Sequence, residues 1–181
     1  MIRFLLPLGI FALLAVVLAI GIRHAPEIGV VASPLVGKPA PQFSLPSLAD
    51  ASQKISSSEL RGRWYIVNFW GTWCYACKEE HSTLLAIRKA ALVPLVGFDW
   101  RDEPDDARQW LTQLGDPYQS VAVDSDGREA VEWGVMQAPE SFLVNPRGII
   151  VYKCTGELTP EIYEREIVPR VTRGVADPRG L

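Results

Sequence analysis

The first pattern along the chain is an unbroken apolar run. Phe4 to Ile22 carries no charge over 19 residues, with Arg3 before it and Arg23 and His24 directly after it. At about 1.5 Å per residue a helix of that length rises roughly 28 Å, close to the hydrocarbon thickness of a bilayer. It has no polar face to turn to water, which argues against a buried helix of a globular domain. A cleaved secretory signal has a shorter apolar region ending in a small-x-small site, which Ala19-Ile20-Gly21 imitates poorly. The expectation is an uncleaved signal-anchor transmembrane helix over residues 1–22. Residues 23–36 hold two prolines and a glycine with little periodicity, and read as an extended tether.

From Gly37 the pattern becomes that of a folded domain. GKPAPQFSLPSLAD reads as short edge strands with prolines where no ladder donor is needed, and SSSEL as a capped turn. WYIVNFW, Trp64 to Trp70, is an almost continuous apolar run of the kind buried on both faces of a parallel sheet. Helical spacing follows over Tyr75 to Ala90, then VPLVGF as a second buried strand, making a β-α-β unit. Pro104 to Leu114 predicts another helix, with Asp105 and Asp106 in the first turn where the helix dipole favours negative charge. SVAVD then reads as a strand, DSDG as a turn and REAVEW as a short helix. SFLV and IIVYK form a hairpin about Asn145 to Gly148, and Thr159 to Val171 closes as a helix. Alternating strands and helices followed by a hairpin predict an α/β three-layer sandwich with a mixed sheet over residues 37–172, and a flexible tail over 173–181.

Composition narrows the function. One ordinary domain fits 181 residues, and a net charge of −3 without any Lys/Arg cluster excludes a nucleic-acid footprint. All six tryptophans lie between residues 64 and 133, placing the expected aromatic core mid-chain. Three cysteines are too few for a disulfide framework, and Cys74 and Cys77 are too close to staple a loop. The pair reads as chemistry. A strand that gives way to a helix at Gly71-Thr72-Trp73 puts Cys74 in the helix's first turn with its sulfur exposed, where free N–H groups and the dipole favour a thiolate. Cys74 is then the attacking sulfur and Cys77, one turn deeper, the resolving one.

The pair also reads as inert core residues, or as half a zinc site needing two more ligands from Cys154, His24 and His81. A copper relay through Cys74, Cys77 and His81 is a rival of another class. Pro139, between a loop and the strand SFLV, is a candidate cis bond. Cys154, isolated in the strand VYKC, reads as a buried small hydrophobe with no catalytic part. Glu80 alone reads as a solvated helix charge.

Several segments together resemble a known family: GKPAPQFSLPSL, WGTWCYACKEEH, LGDPYQSVAVDSDG, APESFLVNPRGIIVYKCTGEL and the EIVP of the last helix, covering residues 37 to about 170. They resemble periplasmic thioredoxin-like proteins, among them the cytochrome c maturation reductases called CcmG or DsbE. The resemblance implies a thioredoxin-like fold, with Cys74 as nucleophile, Cys77 as resolving cysteine, Trp73 as framework and Pro139 as the cis-proline. It also implies two active-site acids, Glu80 and Glu140, which oppose the thiolate and make the couple reducing. The cysteine pair would be the only redox group, with no bound cofactor or metal. A membrane thiol reductase would supply electrons, apocytochrome c or a haem-ligation component would receive them, and the domain would face the periplasm from the bacterial inner membrane. A general extracytoplasmic thiol reductase or isomerase is the alternative within the same chemistry.

The opening segment also resembles peroxide-reducing proteins. Their cysteine is preceded by Pro seven and Thr or Ser three positions earlier, where this chain has Val67 and Gly71. Departures from the reductase pattern are Tyr75-Ala76 between the cysteines, Gln137 for a glycine, Met136 for an aromatic, and Cys154, which is no family active-site position.

Overall fold

The computed structural model describes residues 33–176, together with residues 7, 9–11 and 13–18. The latter are helical, and Phe11, Leu13 and Leu18 among them are exposed. Among the described residues no helix is long and apolar enough to cross a membrane, and much of the anchor expected over 1–22 and of the tether over 23–36 lies outside them.

Six buried residues form β3 (Tyr65–Trp70), the central strand, following a small antiparallel hairpin of β1 (Ser44–Pro46) and β2 (Lys54–Ser56). Helix α1 (Tyr75–Ala90) returns the chain to β4 (Leu95–Trp100), parallel to β3. That strand starts two residues later than the apolar run VPLVGF, after Pro94, whose nitrogen has no proton to give the ladder. Helix α2 (Pro104–Leu114) leads to β5 (Ser120–Asp124), again parallel, and the short α3 (Arg128–Glu132) to the antiparallel pair β6 (Glu140–Val144) and β7 (Ile150–Thr155). The order β5-β4-β3-β6-β7 makes the expected mixed sheet.

Side-chain alternation sorts the core into two layers. On one face Ile66, Trp70, Leu95 and Leu143 pack against Leu84 and Ile87 of α1, Leu111 of α2, and Tyr163, Ile167 and Val171 of the final helix. On the other, Val67, Phe69, Phe98 and Phe142 meet Phe43, Ile55, Leu60 and Trp133. The tryptophans do not all serve as core: Trp73 is 54% exposed.

Two local expectations are corrected. The turn at SSSEL is a 3-10 turn, Ser57–Leu60, whose preceding Ser56 makes no side-chain capping bond. The final helix α4 comprises Pro160–Ile162, a π-helical stretch Tyr163–Ile167 and Val168–Ala176, so it runs four residues into the segment expected to be a flexible tail. Arg173 Nε donates to the Pro169 carbonyl in that last turn.

Candidate active site

Strand β3 stops at Trp70, and three residues turn the chain into α1. Glycine at position 71 leaves room for the Trp73 indole, since a Cβ there would lie 2.5 Å from the indole nitrogen and displace the ring. The Thr72 backbone N–H and hydroxyl both donate to the Asp102 carboxylate, the hydroxyl at 2.8 Å. Trp73 Nε1 donates to the Trp100 carbonyl at 3.2 Å, and the two indoles meet edge to face. The loop after β4 thus fixes the approach to the cysteines.

Cys74 is the N-cap residue of α1, one position before the first turn expected from the sequence, and forms a disulfide with Cys77 across a Cα separation of 5.3 Å. Its sulfur accepts from the Cys77 N–H at 3.0 Å, so a free N–H of the helix start does point at it. The expectation of an exposed sulfur is corrected in part: Cys74 as a residue is only 5% exposed, covered by neighbours in the core. Exposure belongs instead to Trp73 and Tyr75, the neighbours of Cys74 in the chain, and to Met136 in the loop before Pro139, all of which stand largely in solvent. The Ala138–Pro139 bond is cis, and Ala138 packs against the core cluster that contains both cysteines.

The two acids differ. Glu80 is buried, so the solvated reading is withdrawn. It sits three residues past Cys77 on the buried face of α1, the spacing of side-chain neighbours on a helix. Leu158 N–H donates to it at 2.7 Å and Asn68 Nδ2 at 2.9 Å; Asn68 also donates to Ser141 Oγ and accepts from the Tyr118 hydroxyl. All these donors are neutral, so burial dominates and pushes the Glu80 carboxyl up to about 7.

Glu140 faces the other way. In β6 it shares the side of Phe142 rather than that of Ser141, which contacts Asn68, so it lies across the sheet from Glu80. Its carboxylate pairs with Lys153 Nζ at 2.7 Å, in a site where the side chains are 1% and 8% exposed. Lys153 also donates to the Gly134 carbonyl at 2.9 Å, tying down the loop that carries Met136 and Pro139. Burial raises the Glu140 carboxyl, and Lys153 opposes that. The idea that both acids act directly against the thiolate is therefore corrected for Glu140, whose charge is neutralised locally.

His81 is turned to α2: Nε2 bonds with the Gly115 carbonyl at 2.9 Å and the ring meets Trp110 edge-on, which commits it away from a copper site. Among the described residues no group of three His, Cys, Asp or Glu side chains is disposed to hold a metal ion. Cys154 is buried beneath this network, and burial pushes its thiol up to about 12. Asn68, Lys153 and Asp102 escaped the sequence reading. A usable signal existed for the first two, each a lone polar residue inside an apolar strand.

A mixed five-stranded sheet with a disulfide at the start of α1 and a cis-proline immediately before β6 defines a thioredoxin-like thiol-disulfide oxidoreductase. The model of the AhpC/TSA family matches residues 36–153. The thiol:disulfide interchange protein DsbE of Allochromatium vinosum is 41% identical over 171 residues, covering 94% of this chain and 93% of the relative. That of Pseudomonas aeruginosa is 35% identical over 174 residues, covering 96% and 95%. In fold, the chain superimposes with a TM-score of 0.68 on a secreted thiol-disulfide isomerase from Corynebacterium glutamicum, at 22% identity over 82% of this chain and 96% of that one. The chain belongs to the DsbE family of thiol:disulfide interchange proteins, within the wider AhpC/TSA family.

Proposed function

We propose that this chain is a membrane-anchored reductase of extracytoplasmic thiols, holding the cysteines of apocytochrome c, or of a haem-ligation partner, reduced before haem attachment. The observation that carries it is the buried Glu80 beside Cys77, a proton acceptor poised near neutrality behind a disulfide flanked in the chain by exposed apolar side chains. The Cys74 thiolate attacks one sulfur of a disulfide in the target; that bond breaks, and the released target sulfur takes a proton. Glu80 accepts the Cys77 proton, and the resulting thiolate attacks Cys74 Sγ, closing the intramolecular disulfide and expelling the second target sulfur as a thiolate. The target gains two electrons, its two sulfurs take their protons from solvent, and Glu80 gives up its own proton to solvent.

Recharging requires a second dithiol, which on this reading belongs to a membrane thiol reductase. The apolar run Phe4 to Ile22 serves as the anchor, and a redox pair that must be reduced repeatedly suits the periplasmic face of a bacterial inner membrane, where disulfides persist. Trp73, Tyr75 and Met136 offer contact to an extended peptide lying against the Ala138–Pro139 backbone.

Replacing Cys77 by Ser removes the resolving step, so a partner attacked by Cys74 stays bound. Trapping from the native membrane with Cys77→Ser should yield mixed disulfides dominated by apocytochrome c or a haem-ligation component. A broad spread of unrelated secreted proteins would instead establish a general reductase or isomerase.

A further inference from the structure

Asp99 is a further buried acid, and nothing in the exchange mechanism uses it. Asp99 lies near the end of β4, backbone-paired with Trp70, the residue at which β3 gives way to the redox turn. It is 0% exposed, and among the described residues no donor reaches either carboxylate oxygen. The neighbour that acts on it most is another acid, Asp102, which raises the Asp99 carboxyl both by its charge and by a side-chain hydrogen bond. Two carboxylates cannot bond each other without a proton between them.

Other charged or titratable groups do not supply the missing partner. Arg108, on α2, attracts Asp99 only from a distance, since its guanidinium is spent on Asp105 and on the Leu48 carbonyl at 2.9 Å. The Tyr118 phenol, before β5, is committed to Asn68. Burial, then Asp102, push the Asp99 carboxyl up to about 7. Asp102 is only partly buried and is the group that holds the N–H and hydroxyl of Thr72, two residues before Cys74.

We propose that a protonated Asp99 carboxyl donates to Asp102, and that this proton holds the Thr72 turn in place, making Asp99 a positioning residue for the Cys74–Cys77 centre. With the proton present, Asp99 donates to Asp102, which keeps its grip on Thr72. Loss of the proton leaves two facing carboxylates. Asp102, the one with access to water, then swings outward and releases the Thr72 N–H, loosening the turn that presents Cys74. The inference rests on Cys74–Cys77 being an exchanging pair, and on no particular target.

Glu80 titrates in the same range, so the test is made on the full chain carrying Glu80→Gln, in detergent micelles, from about pH 5 to about pH 9. Two readouts are followed: exchange of the Thr72 amide, corrected for intrinsic base catalysis, and the equilibrium of the cysteine pair with glutathione. In the parent, Thr72 protection should fall about tenfold as pH passes 7, and the glutathione constant, after correction for thiol ionisation, should bend over the same interval. Adding Asp99→Asn supplies a permanent donor to Asp102 and should abolish both changes. Asp102→Asn leaves no second carboxylate to repel and should likewise abolish both changes. Inflections that persist with Asn at position 99, or a parent without any, would overturn the proposal. A chain that failed to equilibrate with glutathione at any pH would overturn the exchange reading itself, which separates the two failures.

Discussion

Lys153→Met is expected to lower the unfolding free energy by about 3 to 5 kcal/mol near pH 8, the usual cost of removing one partner from a buried ion pair. The carboxylate of Glu140 would be left buried at the start of β6 with its cation gone, beside the Phe142 ring over which Lys153 Nζ now stands at 5.0 Å. Met fills much the same volume, so the loss is electrostatic more than a cavity effect. Without Lys153, burial acts on Glu140 against only the hydrogen bonds of the Met136 backbone and the Thr155 side chain and raises its carboxyl further, so the folded variant takes up a proton as pH falls. The penalty should therefore be largest above that raised value and shrink toward pH 5. Urea titrations at the two pH values check this. A loss under about 1 kcal/mol, or one equal at both, would mean that the pair is not buried as described. Adding Glu140→Gln to Lys153→Met should recover most of the stability, because no charge remains uncompensated.

Glu80→Gln should have a large effect of the opposite sign. The folded-state carboxyl stands at about 7 against an ordinary 4.5. Between those values the native protein keeps a proton that the unfolded chain has lost, so stability falls as pH rises through this window and the full cost is present above about 7. That interval corresponds to about 3 kcal/mol, which Gln, having no proton to lose, should return near pH 8 and not near pH 4. Its amide fits the existing network: the oxygen accepts from Leu158 N–H, and Asn68 can flip its own amide, with the hydroxyls of Ser141 and Tyr118 rotating to follow. The same substitution removes the base for Cys77, so resolution of mixed disulfides should slow about a hundredfold, the lower end of what a positioned base contributes. A stability curve parallel to that of the wild type, with unchanged resolution, would show that Glu80 is neither buried as an acid nor used as one.

The fold was legible because its main elements carry strong patterns. The β-α-β unit around WYIVNFW and the helix after it announce themselves by periodicity, and the cysteines sit where that strand meets that helix. What lay hidden was polar and three-dimensional. Glu80 looks like a surface charge until the chain from β7 to α4 delivers the Leu158 N–H over it. Glu140 adjoins Pro139 in sequence, yet strand alternation sends its side chain across the sheet to Lys153. Asn68, Asp99 and Lys153 share a signature available in advance: one polar residue in a strand whose neighbours on both sides are apolar. Each marks a buried interaction whose partner only the folded chain identifies.

Electron transfer through Cys74 and Cys77 is the centre of this account, and it can be observed without knowing any partner in the cell. The fully reduced chain is mixed with one equivalent of an oxidised peptide carrying C-x-x-C-H, the pattern of a haem attachment site. Thiols of both molecules are then counted after alkylation. The account predicts that the peptide becomes a dithiol as the Cys74–Cys77 disulfide forms in equal amount, and that Cys74→Ser abolishes the exchange. A chain that stays reduced while the peptide stays oxidised would contradict it.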